Sequence, residues 1–161
     1  MITITSPPRS ASAEPLWFLH NLAFVHVSGA MTGDRFSLVE VHGEPGDMPP
    51  LHVHDDEDET FFVLEGSLEL HIAGRDPVVV QPGEAAFAPR GVAHVYRVIS
   101  STPARWLVAL PGSGFAAFVC EVSVPAPSPV LPPSADLDPA QIAACAARHG
   151  IEILAPPGTL P

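Results

Sequence analysis

Between Leu16 and about Leu110 the chain alternates in short runs of apolar and polar positions. Leu22–Val27, Phe36–His42, Thr60–Leu64, Leu68–Ile72, Val78–Val80, Glu84–Ala88, His94–Ile99 and Ala104–Leu110 are rich in β-branched and aromatic residues. Several of these runs have a period of two, which places one face of a strand on a core and the other on solvent. Gly, Pro and Asp separate them at Gly43–Pro50, Glu65-Gly66, Gly74–Pro77, Gln81–Gly83 and Pro89–Gly91. Strands this short and this evenly spaced predict an all-β antiparallel sandwich or barrel. The period changes only near the end. Residues 139–149 are Ala-rich, and Ile142, Ala143 and Ala146 fall on one face at helical spacing. Asp138 suits an N-cap, Pro139 the first turn, Gln141 a capping-box partner and Gly150 a stop. The pattern predicts one short C-terminal helix packed on the barrel. Residues 1–15 predict a loose arm, 16–111 the barrel, and 112–161 a Pro-rich extended segment (Gly112–Pro133) followed by that helix.

Composition narrows the classes. The chain has 161 residues, 47% hydrophobic and 16% charged, which suits one domain with a sizeable core. Its apolar runs are too short to span a bilayer, and its first residues carry no basic leader, so a cytoplasmic protein without a membrane is expected. The formal net charge of −11 repels nucleic acid and anionic membranes. All seven basic residues are Arg. Without Lys there is no Schiff-base nucleophile and no Walker loop, which removes pyridoxal-phosphate and phosphate-loop chemistry. Cys120 and Cys145 are too few for a disulfide framework and are expected to be small packing residues.

The candidate chemistry lies at His52, His54, Glu59 and His94. Strand alternation turns His52 and His54 to one side, with Val53 opposite. In the next strand Glu59, Phe61 and Val63 share a face, and in a later one His94, Tyr96 and Val98 do. Pro89-Arg90-Gly91 forms the tight turn that aims the last of these. Three imidazoles and one carboxylate make a ligand set for a divalent transition metal, with Fe, Mn, Ni, Co, Zn and Cu all compatible. Tyr96 is the inward polar neighbour, and Glu59 and Tyr96 are the candidate proton-transfer groups. Asp55-Asp56-Glu57-Asp58 reads as a solvated turn, with Glu57 the rival to Glu59. Met48, Phe61, Phe87, Val98 and Trp106 are candidates for the cavity lining. His42 could join them if the Glu40–His42 face of its strand points inward; an outward or rim position is favoured.

The spacing Gly46, five residues, His52-Val53-His54, four residues, Glu59, six residues, Gly66 resembles the first motif of the cupin superfamily. The second motif is matched at Gly83, Pro89, Gly91 and His94, with Val98 where the family usually has Asn. Gly46–His52 and Glu59–Gly66 are also similar in texture to small bacterial proteins described as quercetin-dioxygenase-like. The resemblance implies a double-stranded β-helix, or jelly-roll barrel, with the metal inside. It also implies a homodimer built through sheet edges and the terminal arm.

Two chemistries suit such a site. In the first, a dioxygenase acts on an enol or phenol-type small molecule held at the metal through a deprotonated oxygen, with O₂ as co-substrate. In the second, the ion is a Lewis acid for an isomerase, cyclase or lyase, and Glu59, Tyr96 or His42 moves the proton. A third reading is a metal- or ligand-binding module without catalysis.

Overall fold

In a computed structural model that describes residues 13–134 and 136–161, inward side chains from two antiparallel sheets meet face to face. The chain runs through β1 (Leu16–Phe18), β2 (Asn21–Val27), a single turn of helix α1 (Gly29–Thr32) and β3 (Ser37–Gly43). It continues through β4 (Leu51–His54), β5 (Glu59–Glu65), β6 (Leu68–Ile72), β7 (Val78–Val80), β8 (Ala85–Ala88), β9 (His94–Val98) and β10 (Ala104–Leu110). The last elements are α2 (Gly114–Val122), β11 (Val124–Pro125), α3 (Pro139–Arg148) and β12 (Ile151–Ala155). The seven-stranded sheet has the order β11-β1-β2-β3-β10-β5-β8, and the five-stranded sheet β12-β4-β9-β6-β7. Two such sheets joined by long crossovers form the jelly-roll barrel expected from the alternation.

Register explains the core. In the larger sheet Val41 pairs with Trp106, and Trp106 with Val63; beside them Val39 pairs with Val108, and Val108 with Phe61. These two rows face Leu68, Leu70, Tyr96 and Val98 from the smaller sheet, and all are buried. The outward positions of the same strands carry Glu40, His42, Phe62 and Arg97.

The arm is expected over residues 1–15, of which 1–12 lie outside the described residues. Leu16–Phe18 is a strand of the larger sheet, where it pairs with β2 and β11. The Pro-rich stretch 112–133 is not extended throughout, because α2 occupies its first half. Gly114-Phe115-Ala116-Ala117-Phe118-Val119 puts Phe115, Phe118 and Val119 on one apolar face, and that face is buried. Phe115 and Phe118 each meet Phe18 edge to face, with ring centroids 6.1 and 5.7 Å apart.

The C-terminal helix starts as its cap predicts: Asp138 Oδ1 accepts from the backbone N–H of Ala140 at 2.9 Å and of Gln141 at 3.4 Å. Cys145 and Ala146 are its buried residues, and Ile142 packs against the core. Glu121 on α2 accepts from Arg148 and, at 2.6 Å, from His149, so the two helices are tied together. Cys120 departs from expectation: it sits on the solvent side of α2, while only Cys145 is buried. No helix among the described residues is long and apolar enough to cross a membrane.

Candidate metal centre

Two strands of the smaller sheet and one of the larger meet at the cluster. β4 presents His52 and His54, β9 presents His94, and Glu59 enters from the first position of β5. His52 pairs directly with His94 in the β4–β9 ladder. On its other edge β4 pairs with β12, which sets Ile153 beside His52 and Ile151 beside His54. The carboxylate therefore crosses the interior from one sheet to the three imidazoles of the other.

One ligand atom from each of the four residues lies within 4.8 Å of the others. His54, Glu59 and His94 are buried, and His52 is partly so. His52 Nδ1–H donates to the Pro50 carbonyl at 2.8 Å, and His94 Nδ1–H to the Val92 carbonyl at 2.9 Å. A carbonyl can only accept, so both rings are fixed with Nε2 towards the cluster. His94 Nε2 lies 2.8 Å from Glu59 Oε2, and His54 Nε2 lies 3.5 Å from the same oxygen. Neither nitrogen of His54 makes a hydrogen bond, although the ring is 1% exposed. A buried imidazole with unspent nitrogens, beside two rings held with Nε2 inward and a carboxylate, fits a divalent cation.

The electrostatics agree with that fit. Burial pushes the Glu59 carboxyl up, but the nearby His54, together with the hydrogen bond and charge of His94, outweighs burial and holds it at about 2. Burial pushes His52 down to about 4, with the His94 charge adding to the effect. Burial also pushes His94 down, yet its bond to Glu59 prevails and the net shift is upward. Glu59 is thus a carboxylate at neutral pH, and a bound cation would stand against its negative charge.

Glu57 is engaged elsewhere. It is buried rather than solvated, and its carboxylate accepts from the backbone N–H of Gly114 at 2.7 Å and of Phe115 at 2.9 Å. These are the opening amides of α2, where a negative charge is favoured. The acidic run is therefore only partly a solvated turn. Asp55 and Asp56 are exposed, whereas Asp58 accepts from the Arg90 N–H at 3.0 Å and anchors the turn before His94.

His52, His54 and Glu59 face a narrow, mostly apolar cavity of about 70 Å³. Of the candidate lining residues, the structure brings Phe61 and Trp106 to it, together with Tyr96, the candidate proton-transfer group. Met48 instead lines an outer hollow of about 600 Å³ that shares Leu19, Asn21, Pro49, Pro50, Ile142 and Ile153 with the cavity. Val98 is buried in the core off the cavity, one position further along its strand's inner face than Tyr96. Phe87 is 48% exposed, because it pairs with Thr60 on the outward face of β5 and β8. His42 is outward, where its Nε2 bonds Glu40 Oε1 at 2.7 Å; Val41 and Gly43 take the inward positions.

Tyr96 is held rather than free. Its hydroxyl donates to Asp47 Oδ2 at 2.9 Å and accepts from Asn21 Nδ2 at 3.0 Å. Burial, followed by the Asp47 charge, raises the phenol well above its ordinary value. Burial likewise raises Asp47, against the hydrogen bond from Tyr96. Asn21, Phe115, Phe118 and Ile151 also line the cavity and were not singled out from the sequence. The i, i+3 spacing of Phe115 and Phe118 was the available signal for α2. Asn21 carried none beyond being a polar residue at the head of an apolar strand.

A jelly roll with three imidazoles and a carboxylate converging between its sheets defines a cupin-fold barrel with a centre able to hold a divalent metal. Residues 39–110 match the family model described as "Cupin domain", which supports a cupin superfamily protein resembling quercetinase-like proteins. A 92-residue stretch is 40% identical to quercetin 2,3-dioxygenase of Bacillus subtilis (strain 168), covering 57% of this chain and 27% of that enzyme. The chain thus spans about a quarter of the length of that curated relative. An oxalate oxidase in complex with the substrate analogue glycolate superposes with a TM-score of 0.50 at 24% identity over 58% of this chain and 52% of that one. A sugar phosphate isomerase from the cupin superfamily of Silicibacter pomeroyi gives 0.51 at 26% identity over 60% of this chain and 62% of that one.

Proposed function

We propose that the protein is a divalent-metal-dependent enzyme acting on a small molecule, and that its reaction is dioxygenation of an enol or phenol-type substrate. The observation that carries this reading is the placement of His52, His54 and Glu59 on the wall of an apolar cavity. A structural metal would be enclosed by packing, whereas one held here would keep an approachable side. His52, His54, Glu59 and His94 would hold the ion, which supplies Lewis acidity and a meeting point for substrate and O₂. The residues around it do the rest. Glu59 is the carboxylate on the cavity wall and so the group placed to accept the substrate's acidic proton. Phe61, Phe115 and Trp106 exclude water and favour a planar, apolar substrate body. The cavity is small, so the reacting end would enter it and any larger remainder would rest in the outer hollow between Leu19, Pro49 and Ile142.

The dioxygenase reading draws on the 40% identity to the Bacillus enzyme across the motif region. The sugar phosphate isomerase likeness supports the second reading, a non-oxidative isomerase, cyclase or lyase using the same ion as Lewis acid. A cytoplasmic homodimer is the assembly proposed with either. Oxygen uptake after reconstitution with each of Fe, Mn, Ni, Co, Zn and Cu, using a panel of flavonols and enolised diketones, tests the first reading. Uptake above the metal-only control supports it. Product formed under strict anaerobiosis would replace it with the second.

A further inference from the structure

Away from the barrel centre, α2 and α3 bring three further metal-ligating side chains together. Glu121 stands near the end of α2, Cys145 lies on α3, and His149 is the C-cap of α3. Cys145 and His149 are four positions apart, so they share one side of the helix. One ligand atom from each of the three residues lies within 4.8 Å of the others. Among the described residues, only the barrel cluster and this one gather three such atoms so closely. His149 Nε2–H donates to Glu121 Oε2 at 2.6 Å, while the Arg148 guanidinium takes Oε1. Cys145 is buried, at 5% exposure. Helix pairing accounts for Glu121 with Arg148 and His149. It does not call for a sulfur at the same point, where Ala, the commonest residue of α3, would also pack.

We propose that Glu121, Cys145 and His149 form a second metal site, for a divalent ion of the Zn(II) class. Thiolate, imidazole and carboxylate are all zinc donors, whereas Mg(II) and Ca(II) take oxygen ligands. Glu121 and Cys145 also line a hollow of about 670 Å³ with Leu137, Gln141 and Arg148, which gives an ion a way in and a water as fourth ligand. Arg148, bonded to Oε1, holds the carboxylate with Oε2 towards His149, as an outer partner orients a ligand. Binding releases the Cys145 thiol proton and the His149 Nε2 proton. With that cost, three ligands in place of four and a guanidinium alongside, this site fills only after the barrel centre. An ion here fastens α2 to α3, and these helices supply Phe115, Phe118 and Ile142 to the cavity wall. The site stands independently of the proposed function.

Co(II), which takes the ligands of Zn(II) and is coloured, is the probe. The barrel cluster has no sulfur, so a thiolate-to-Co(II) charge-transfer band reports this site alone. The titration is run on the full chain carrying Cys120→Ser, which leaves Cys145 as the only thiol. The band is expected to rise after the barrel centre has filled and to saturate at one further Co(II) per chain. Cys145→Ser should abolish it. Glu121→Gln and His149→Ala should each weaken the Co(II) affinity read from the band at least about tenfold, since losing even an outer partner costs that much. No band at excess Co(II) overturns the site, as does a band whose affinity neither of these two variants changes. Wild type supplies a test free of substitutions: Zn(II) should slow alkylation of Cys145 by iodoacetamide relative to Cys120, read by mass spectrometry. Equal rates with and without Zn(II) overturn the site even where the variants fail to fold.

Discussion

His52 stands directly opposite His94 across the β4–β9 ladder, with ring centroids 4.7 Å apart. The two are forty-two positions apart in the chain, and the sheet makes them neighbours. Glu59 reaches them from the opposite sheet, so the cluster bridges both halves of the barrel. An ion held there would tie the sheets together as well as serve chemistry.

That tie has a measurable consequence. Zn(II) at about one hundred times its dissociation constant should stabilise the fold by about 2.7 kcal/mol, and chelation should remove that gain. For a chain of this size the melting temperature would move by roughly 5–10 °C, which calorimetry with and without chelator reads directly. His52→Ala, His54→Ala and His94→Ala should each abolish the shift and lower metal affinity by more than the 10–100-fold (roughly) typical of losing an outer partner. Metal content unchanged in all three variants would rule out the assigned ligands.

The two glutamates should separate cleanly. Glu59→Gln removes the acceptor from the cavity wall and is expected to lower turnover by about 10²–10⁴ while leaving the fold intact. Glu57→Ala should act on stability instead, because Gly114 and Phe115 lose the carboxylate that receives their amides. A loss of about 1.5–3 kcal/mol is expected, with metal content retained. Denaturant unfolding and metal analysis on both variants check the split, and the reverse pattern would mean that Glu57 faces the ion.

Acid should destabilise the metal-free protein in stages. His52 has its folded value pushed by burial to about 4, below the ordinary 6.5, so only the unfolded chain takes up its proton between those values. Its contribution is therefore lost as pH falls from about 6.5 to 4, at up to about 1.4 kcal/mol per pH unit. Glu59 is held at about 2, below its ordinary 4.5, so its contribution is present above 4.5 and lost as pH falls through 2. His94 is raised by Glu59 and acts in the opposite sense, its contribution being present below 6.5 and lost as pH rises through the folded value. Together these place the stability maximum of the metal-free protein near pH 6.5. Urea unfolding across pH 3–9 tests this, and His52→Ala should flatten the limb between 6.5 and 4.

Period-two alternation made most of the barrel legible. It turned His52 and His54 together and placed Glu59, Phe61 and Val63 inward, as well as His94, Tyr96 and Val98. It failed where an element's neighbours decide its side. Phe87 is as apolar as Phe61, but it pairs with Thr60 on the outer face, so aromatic character alone could not place it. Glu57 looked like one acid among four in a solvated turn. Its burial depends on α2, which the surrounding prolines masked and which packs on Phe18, almost a hundred positions earlier. The Asn21–Tyr96–Asp47 chain likewise joins three distant segments, and no local pattern encodes it.

Gly91 offers the sharpest test of how the turn serves the site. Its backbone is left-handed, with φ at 71°, and its N–H donates to the His54 carbonyl at 2.8 Å. One residue therefore closes the Pro89-Arg90-Gly91 turn, starts the approach to His94 and fastens that approach to the strand bearing the other two imidazoles. A Cβ at Gly91 would meet nothing within 4 Å, so Gly91→Ala adds no clash, only the backbone cost of a side chain in this region, about 1–2 kcal/mol. Gly74→Ala is the matched control, with φ at 74° and equally open space, but it lies between β6 and β7, neither of which carries one of the four residues. Both variants should lose similar stability in denaturant. Only Gly91→Ala should also weaken Zn(II) binding, by roughly the 10–100-fold that follows when a ligand's support shifts. Equal Zn(II) affinities in the two variants would show that β9 holds His94 in place without help from the turn.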